Sequence, residues 1–327
     1  MLLSSNDAVG AIDFSIVIAT HDRSHRLLAC LDSIEAAALA ARPLKTELLI
    51  ICNACPDDTP VVARDWARQA QILVRVLDEP QQGACRARNR GIRAARGNVI
   101  VMTDDDCRFA ESFLSVAGAA FAQDAGPAMR GGQLLLGDPD DLPMTVRIHT
   151  VGSSYGPPIF PGGFLIGCNV AFSREVVDRI GLYDTRFGPG TKVGAAEDTD
   201  YLFRAWKAGI PVIFDPDMII HHHHGRRDLE AVRKLSQVYN RSDGAFYAKH
   251  VLSSPHLLKN LYWDLRNGLR ERFGGPPFDP HLNLSHLPRV WDILLGAAGF
   301  VWRHDLNEAQ SLEVPCRSER GARSATL

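Results

Sequence analysis

The chain has 327 residues, of which 46% are hydrophobic and 23% are charged, and its formal net charge is −2. This size and composition are typical of a folded globular protein with a sizeable core, and they exclude an intrinsically disordered chain. The near-neutral charge excludes a strong electrostatic attraction to nucleic acid, so we expect no nucleic-acid partner.

The first hundred residues alternate short apolar runs with amphipathic helical patterns. The apolar runs, which we expect to be strands, cover residues 14–19, 46–52, 72–77 and 98–102. Continuous apolar strands separated by helices predict an α/β fold, in which a parallel sheet is covered on both faces. In such a doubly wound sheet, ligands bind beyond the carboxyl ends of the strands.

Three adjacent aspartates, Asp104, Asp105 and Asp106, follow the fourth predicted strand. Like charges this close repel one another unless a positive charge lies among them. Either the aspartates form a solvated turn, or they bind a divalent cation that carries a phosphorylated substrate. Their position at the end of a strand favours the cation.

The remainder of the chain changes character twice. Residues 126–166 are rich in Gly and Pro and predict loops and short strands, with a flexible lid as one interpretation. Helices are predicted at residues 173–180 and 197–209, two short strands at 211–224, and mainly helices beyond. We therefore expect a catalytic unit at residues 1–225, a helical region at 226–310 and a disordered tail at 311–327.

Five segments in this order resemble the family-2 glycosyltransferases, which have the GT-A fold: "SIVIATHDR", "ICNACPDDT", "GACRARNRGIRAARGNVIVMTDDDC", "GCNVAFSR" and "EDTDYLFRAWKAG". The resemblance covers roughly residues 13–225. It implies a mostly parallel, doubly wound sheet, here with a helical C-terminal extension. It also implies metal-dependent, inverting transfer of a sugar from a nucleotide-diphosphate sugar to an acceptor hydroxyl. Saccharide, lipid-linked and small-molecule acceptors all stay open.

The resemblance assigns several residues to the nucleotide sugar. Thr20 and Arg23 follow the first strand, although a helix cap with a solvated arginine explains the same residues. Cys52 stands where the family has an acidic residue that reads the base, so either Asn53 and Asp57 replace it or the base is not uracil. In the basic helix that follows Gly83, Arg88 is the arginine that we expect at the ligand. Asn169, beside Cys168, is expected to line the sugar pocket.

The resemblance also supplies a metal site and a general base. Asp104 and Asp106 would hold Mn²⁺ or Mg²⁺, and Asp105 would reinforce the field or contact the ribose. Among the four consecutive histidines, His222 and His224 share one face of a predicted strand, and one of them is expected to complete the site.

At the start of the next predicted helix, the resemblance makes Asp198 the general base and Glu197 its partner at the acceptor. Acids in a first helical turn are also simply favourable, so the bare pattern leaves both explanations open. Asp200 is expected to be structural.

Three other functions compete with this interpretation. A sugar nucleotidyltransferase would need a Gly-rich basic loop after the first strand, and "ATHDRSHR" contains no glycine. A non-catalytic metal- or RNA-binding protein is supported neither by the near-neutral charge nor by the sequence pattern, which lacks a basic and aromatic platform. An inactive relative that only binds nucleotide sugars is not distinguished by the sequence.

Location is predicted from what the sequence lacks and from one C-terminal segment. The seven scattered cysteines, and the lack of a signal segment or a spanning run, predict a cytoplasmic protein. The apolar segment at residues 287–302, with Trp291 and Trp302 near its ends, is expected either to pack on the catalytic unit or to lie in a membrane interface on the cytoplasmic side.

Overall fold

The computed structural model describes residues 11–303, and these residues form one mixed sheet flanked by helices. The strands are β1 (Phe14–Thr20), β2 (Thr46–Asn53), β3 (Leu73–Glu79), β4 (Val99–Asp104), β5 (Cys107–Phe109), β6 (Met129–Leu136), β7 (Ser153–Ser154), β8 (Val170–Ser173) and β9 (Val212–His222). Their order is β3-β2-β1-β4-β8-β6-β9-β5, and β7 pairs with β9. The pairings among β3, β2, β1 and β4 are parallel, as is β6 with β9, whereas β8 is antiparallel to both neighbours.

The helices of the described residues cover both faces of this sheet. They are α1 (Leu27–Ala40), α2 (Thr59–Ala67), α3 (Ala84–Ala94), α4 (Phe113–Ala122), α5 (Arg174–Ile180), α6 (Glu197–Lys207), α7 (Leu229–His250), α8 (Leu258–Glu271) and α9 (His286–Arg303). Alternate residues of each strand point to opposite faces, so Ile16 and Ile18 of β1 belong to the core layer of α1 and α4. Val17 belongs to the other layer, with α3, α5, α6, α7 and α9.

The parallel register brings the polar ends of the central strands together. Ala19 of β1 pairs with Asp104 of β4, and Thr20 pairs with Cys52 of β2. Residues that are far apart in sequence therefore lie side by side at the carboxyl edge of the sheet. The prediction that the aspartates follow the fourth strand at this edge is confirmed.

The segment before the histidines differs from its prediction. Two short strands were expected at residues 211–224, whereas the structure has the single strand β9. Its pairing with β6 jumps from Asp215 to Ile220 while β6 advances only from Gly132 to Leu134. Pro216 lies in this bulge and has no N–H to donate to the ladder, which explains why the pattern resembles two strands.

The C-terminal helices pack against α6 on one face of the sheet. Ala245, Phe246, Ile293 and Phe300 are buried in the same core layer as Tyr201 of α6. Helices α7 and α9 cross at two glycines: a Cβ on Gly244 would lie 2.0 Å from the Ile293 carbonyl oxygen, and one on Gly296 would lie 1.9 Å from the Arg241 carbonyl oxygen. Only glycine permits this approach.

A buried ion cluster also joins α7 to α6. Asp200 lies 2.7 Å from Lys249 Nζ, 2.7 Å from His250 Nε2 and 2.9 Å from Arg204 Nε. These contacts agree with the expectation that Asp200 is structural, because its carboxylate is saturated by cations of the fold.

The predicted α/β fold with C-terminal helices is confirmed. The boundary at residue 225 stays a prediction, and residues 311–327 lie outside the described residues. Within residues 11–303, none of the helices is both long and apolar enough to cross a bilayer.

Candidate active site

Asp106 and His222 meet where the short strand β5 pairs with the end of β9. Cys107 pairs with His222, and the backbone N–H of His223 donates to the Asp106 carbonyl at 2.8 Å. This pairing brings His222 Nε2 to 3.3 Å from Asp106 Oδ1. Burial alone would raise the pKa of Asp106, but the hydrogen bond and charge of His222 lower it to about 2. Burial would likewise lower the pKa of His222, and Asp106 raises it to about 9.

The same pair fits a divalent cation. Two ligand atoms of one ion lie about 3 Å apart, which is the separation of this carboxylate oxygen and this imidazole nitrogen. Nδ1 of His222 faces the carbonyl oxygen of Thr145 at 3.4 Å, so Nδ1 can keep its proton while a bound cation displaces the proton on Nε2. Within residues 11–303, the Cys107 thiol is the further side-chain group of a possible metal cluster, because its Sγ lies within 4.8 Å of ligand atoms of both Asp106 and His222. Burial raises the pKa of its thiol well above the usual value, which makes it a poor ligand for a hard cation.

His224 occupies a different environment from His222. Its buried ring lies edge-on to the His222 ring, with centroids 5.0 Å apart. Its Nδ1 accepts a hydrogen bond from the Arg226 backbone N–H at 3.0 Å and lies 3.6 Å from Asp141 Oδ2. Burial lowers its pKa, so the ring is neutral at pH 7. We favour His222 as the ligand because its Nε2 lies 3.3 Å from Asp106 Oδ1.

Arg88 connects the aspartates to the start of α6. The buried guanidinium places Nη2 3.0 Å from Asp104 Oδ1 and Nη1 2.5 Å from Glu197 Oε1. Asp104 thus faces an arginine, whereas Asp106 faces a histidine. The sequence singled out Arg88 among the arginines of α3 for a ligand contact, and the structure places it in an ion-pair bridge.

Asp105 points toward the end of β1. Burial raises its pKa to about 7, against the opposing effects of the Thr20 hydroxyl and the Arg23 charge. Arg23 Nε lies 3.5 Å from Asp105 Oδ1, and the guanidinium is partly exposed. Helix α1 begins at Leu27, so Thr20 does not cap it. The side chains of Thr20, Arg23 and Asp105 therefore form one group, in which Asp105 is next to Asp106 in the chain.

Asn53 and Asp57 hold backbone segments at the end of β2. The Asn53 amide donates to the carbonyls of Glu79 and Gln81 at 3.1 and 2.8 Å, and its oxygen accepts from the Gly83 N–H at 2.9 Å. Asp57 accepts from the backbone N–H groups of Ser24 and Thr59. Hydrogen bonds, chiefly with Thr59, hold its pKa below the usual range. Both side chains therefore shape the loops around the expected base site.

Asp198 and Glu197 begin α6, and they differ in their partners. Asp198 Oδ1 accepts from the Thr199 N–H at 2.7 Å, and Oδ2 accepts from the Gly167 N–H at 2.9 Å. Burial raises the pKa of both acids. Glu197 is paired with Arg88, whereas backbone N–H groups orient Asp198.

Several contacts at the site were not predicted. Gly167 approaches Asp198 so closely that an added Cβ would lie 3.1 Å from the Asp198 Cβ, and its only signal in the sequence is a glycine before Cys168. Thr145 supplies only a carbonyl, which no motif reveals. Asn169, expected at the sugar, donates to the carbonyls of Gln133 and Met218 at 2.8 and 3.0 Å and is buried.

The start of α3 is joined to the loop that precedes α6. A helix with a glycine at its start can present backbone donors to a phosphate. Here the Ala84 N–H donates to the carbonyl of Pro189, which belongs to the Gly-rich loop before α6. Gly190 lies so close that its Cβ would be 3.1 Å from the Gly83 Cα. The loop and the helix start therefore hold each other.

Comparison with known proteins gives a family and several relatives. The family model described as Glycosyl transferase family 2 matches residues 15–181, about half of the chain. The glycosyltransferase AglE of Haloferax volcanii is 22% identical over 206 residues, which cover 63% of this chain and 65% of AglE. The uncharacterized glycosyltransferase EpsJ of Bacillus subtilis is 29% identical over 92 residues, or 28% of this chain and 25% of EpsJ. The chain thus spans slightly less than two thirds of AglE.

Solved structures share the fold at low sequence identity. The mannosyltransferase PcManGT from Pyrobaculum calidifontis, determined with GDP-Man and Mn²⁺, is 19% identical, with a TM-score of 0.54 over 93% of this chain and 79% of its own. A 1–349 segment of TarS from S. aureus in complex with UDP is 12% identical, with a TM-score of 0.50 over 90% of this chain and 92% of its own. These likenesses confirm the predicted GT-A fold.

Proposed function

The chain belongs to glycosyltransferase family 2, and from this premise we propose that it transfers a sugar from a nucleotide-diphosphate sugar to an acceptor hydroxyl, with inversion at the anomeric carbon. The observation that carries the proposal is the contact between Asp106 and His222 at the carboxyl edge of the sheet. A carboxylate and an imidazole at this separation can supply two ligands to a divalent cation. Phosphate oxygens and water would complete the coordination.

The residues around this pair divide the work. Asp106 and His222 would hold the cation, which when bound supplies Lewis-acid stabilisation for a departing diphosphate. Asp104 is held by Arg88 and adds negative charge next to the same site. Thr20, Arg23 and Asp105, at the end of β1, would contact the nucleoside. Asn53 and Asp57 would act by positioning the loops that surround the base.

Asp198 would remove the proton from the acceptor hydroxyl. Burial raises its pKa toward the range in which a carboxylate accepts a proton effectively near neutral pH. The N–H groups of Gly167 and Thr199 fix the orientation of both oxygens. Glu197, neutralised by Arg88, would anchor the start of α6 and keep Asp198 aimed at the acceptor. Direct attack by the activated oxygen inverts the configuration and needs no covalent enzyme intermediate.

Ligand chemistry and the similar structures reduce the number of candidate cations and donor nucleotides. An imidazole ligand beside a carboxylate suits Mn²⁺ at least as well as Mg²⁺, and PcManGT was determined with Mn²⁺. GDP-Man in that structure and UDP in the TarS segment make guanine and uracil the first bases to test. Cys52 adjoins the expected base site and accepts hydrogen bonds poorly. The acceptor class stays open among saccharides, lipid-linked sugars and small molecules.

The decisive experiment is a donor screen with the purified chain. It is incubated with Mn²⁺ or Mg²⁺ and a panel of nucleotide sugars, and nucleotide release is measured with and without pooled acceptors. One donor should release nucleotide only in the presence of the cation, and NMR of the product should show the opposite anomeric configuration. Release that persists in a chelator would contradict the metal role, and a retained configuration would contradict inversion. Binding of a donor without turnover would indicate an inactive relative.

A further inference from the structure

Helix α8 turns its apolar side toward solvent. Leu258, Tyr262, Leu265 and Leu269 recur every three or four residues, and at 3.6 residues per turn they fall within an arc of about 60°. Their exposures are 51%, 58%, 45% and 53%, and Phe273, just after the helix, is 89% exposed. We name these five side chains the α8 stripe. A water-soluble helix normally buries such a stripe, so this one is unpartnered.

The polar side of the same helix faces the protein. Asp264 lies 3.2 Å from His286 Nδ1 and 3.2 Å from Arg289 Nε, and Glu271 accepts from the His286 N–H at 3.0 Å. These are the two acidic residues of α8, and both are engaged by α9 or its start. The orientation of α8 is therefore fixed by ion pairs and hydrogen bonds. If burial of leucines had decided the orientation, the side of α8 that carries the α8 stripe would face the protein.

Basic side chains flank the α8 stripe on one side. Lys259, Arg266 and Arg270 are exposed and fall within an arc of about 40° next to the stripe, and Arg272 follows the helix. Arg266 stacks on the Trp263 ring, 4.9 Å from its centroid. Because the acids of α8 face α9, the outer surface of this helix is apolar and positively charged.

Helix α9 supplies a second exposed row. Trp291, Leu295 and Trp302 are spaced by four and seven residues, so they lie on one side of the helix, and their exposures are 63%, 43% and 91%. The opposite side, with Val290, Ile293 and Phe300, is buried. Tryptophan and tyrosine at the edge of an apolar surface are typical of residues that lie at the level of lipid headgroups.

We propose that the α8 stripe and its basic flank dock on the surface of an anionic lipid bilayer. The apolar stripe would enter the boundary between headgroups and acyl chains, and Lys259, Arg266, Arg270 and Arg272 would meet lipid phosphates. The charge favours this partner over a second copy of the chain, because a copy of this helix presents the same positive sign. The binding is peripheral, and it does not depend on the transfer reaction.

The test is flotation of the full chain with vesicles, at low and at high salt. Vesicles contain phosphatidylcholine alone or phosphatidylcholine mixed with phosphatidylglycerol. The wild type should float with the anionic vesicles, and less so at high salt. Leu265→Asp/Leu269→Asp should abolish flotation. Arg266→Gln/Arg270→Gln should weaken it on the order of tenfold, and only on anionic vesicles.

A matched control is Val61→Asp, which places the same charge on an exposed valine of α2 and should float like the wild type. Circular dichroism checks that each variant is folded. If the Leu265/Leu269 variant is not folded, the Arg266/Arg270 variant decides the question. The proposal is overturned if the wild type fails to float, or if the Leu265/Leu269 variant floats equally well. It is also overturned if the wild type does not float but forms a dimer in light scattering, and the Leu265/Leu269 substitutions make the protein monomeric.

Discussion

At the scale of single residues, neighbouring acids of the site differ in what neutralises them. Asp104 is paired with Arg88 and Asp106 with His222, whereas Asp105 lies 3.5 Å from the partly exposed Arg23, and burial raises its pKa to about 7. The same division separates Glu197, held by Arg88, from Asp198, held by backbone N–H groups. Adjacent carboxylates can therefore have different tasks because each has its own counter-charge.

Replacing Asp106 tests the metal site. Asp106→Asn keeps the size of the side chain but removes the charge that a cation needs. We expect the affinity for a nucleoside diphosphate in the presence of Mn²⁺ to fall on the order of tenfold or more, because even indirect supports of a metal ligand have effects of that size. Isothermal titration calorimetry gives the affinity. Asp217→Asn, an exposed aspartate on the bulge of β9, is the matched control. Equal affinities in wild type and Asp106→Asn would refute the assignment.

Replacing Asp198 tests the general base. Asp198→Asn retains an oxygen that can accept from the Gly167 N–H but has no useful proton affinity. Turnover should fall on the order of 10²–10⁴-fold, while donor binding with Mn²⁺ stays within a few-fold of wild type. Steady-state kinetics and calorimetry measure the two quantities separately. If turnover changes by only a few-fold, another group removes the proton.

At the scale of elements, α6 is held by two buried ion clusters that each include an acid of its first turn. Glu197 is paired with Arg88 of α3, and Asp200 is surrounded by Arg204, Lys249 and His250. The second cluster attaches α7 to the helix that carries the proposed base. The position of Asp198 therefore depends on contacts with the C-terminal helices.

Asp200→Asn tests this attachment through stability. The change removes the buried counter-charge that Lys249 and Arg204 share, and among the described residues Lys249 keeps only the carboxylate of Asp184, 2.9 Å away. Breaking such a cluster costs on the order of 3–5 kcal/mol in the free energy of unfolding. Urea titration measures the loss. The cations and His250 hold the pKa of Asp200 well below its usual range against the effect of burial. The stabilisation is therefore complete above the unfolded-state pKa of about 4 and is lost as the pH falls toward the lower folded-state pKa.

The difference in stability between wild type and Asp200→Asn should accordingly be constant near neutral pH and shrink below pH ~4. Asp217→Asn again serves as a control, with little effect expected at any pH. A difference that grows with acidity would mean that Asp200 is protonated in the native protein.

At the scale of the whole molecule, local patterns in the sequence predicted the parallel strands of the first half and the position of the aspartates at the end of the fourth strand, but not the order of the strands in the sheet. The expectation that His222 or His224 lies at the aspartates came from the family resemblance and not from local patterns, because this contact depends on the pairing of β5 with β9. The bridge from Asp104 through Arg88 to Glu197 joins three distant segments, and no spacing reveals it. The amphipathic pattern of α8 was visible, but which side faces the protein depends on Asp264, Glu271 and their partners.

The shared core predicts how the whole molecule unfolds. Phe246, Ile293 and Phe300 of the C-terminal helices lie in the same buried layer as Val17 of β1 and Tyr201 of α6. Removal of α7 and α9 would expose this layer, so the predicted units at 1–225 and 226–310 should unfold together although they differ in sequence character. We expect a single calorimetric transition whose calorimetric and van't Hoff enthalpies agree.

Mn²⁺ with a nucleoside diphosphate at a hundred times its dissociation constant should raise the midpoint of that transition. Mass action contributes about 2.7 kcal/mol under this condition, which for a chain of this size shifts the midpoint on the order of 5 °C. Intrinsic fluorescence, which includes Trp291 and Trp302 of α9, should follow the same shifted curve as circular dichroism. Two transitions, of which only one responds to the ligand, would mean that the C-terminal helices form a separate folding unit. In that case the buried contacts of α7 and α9 would contribute little to holding Asp198 in place.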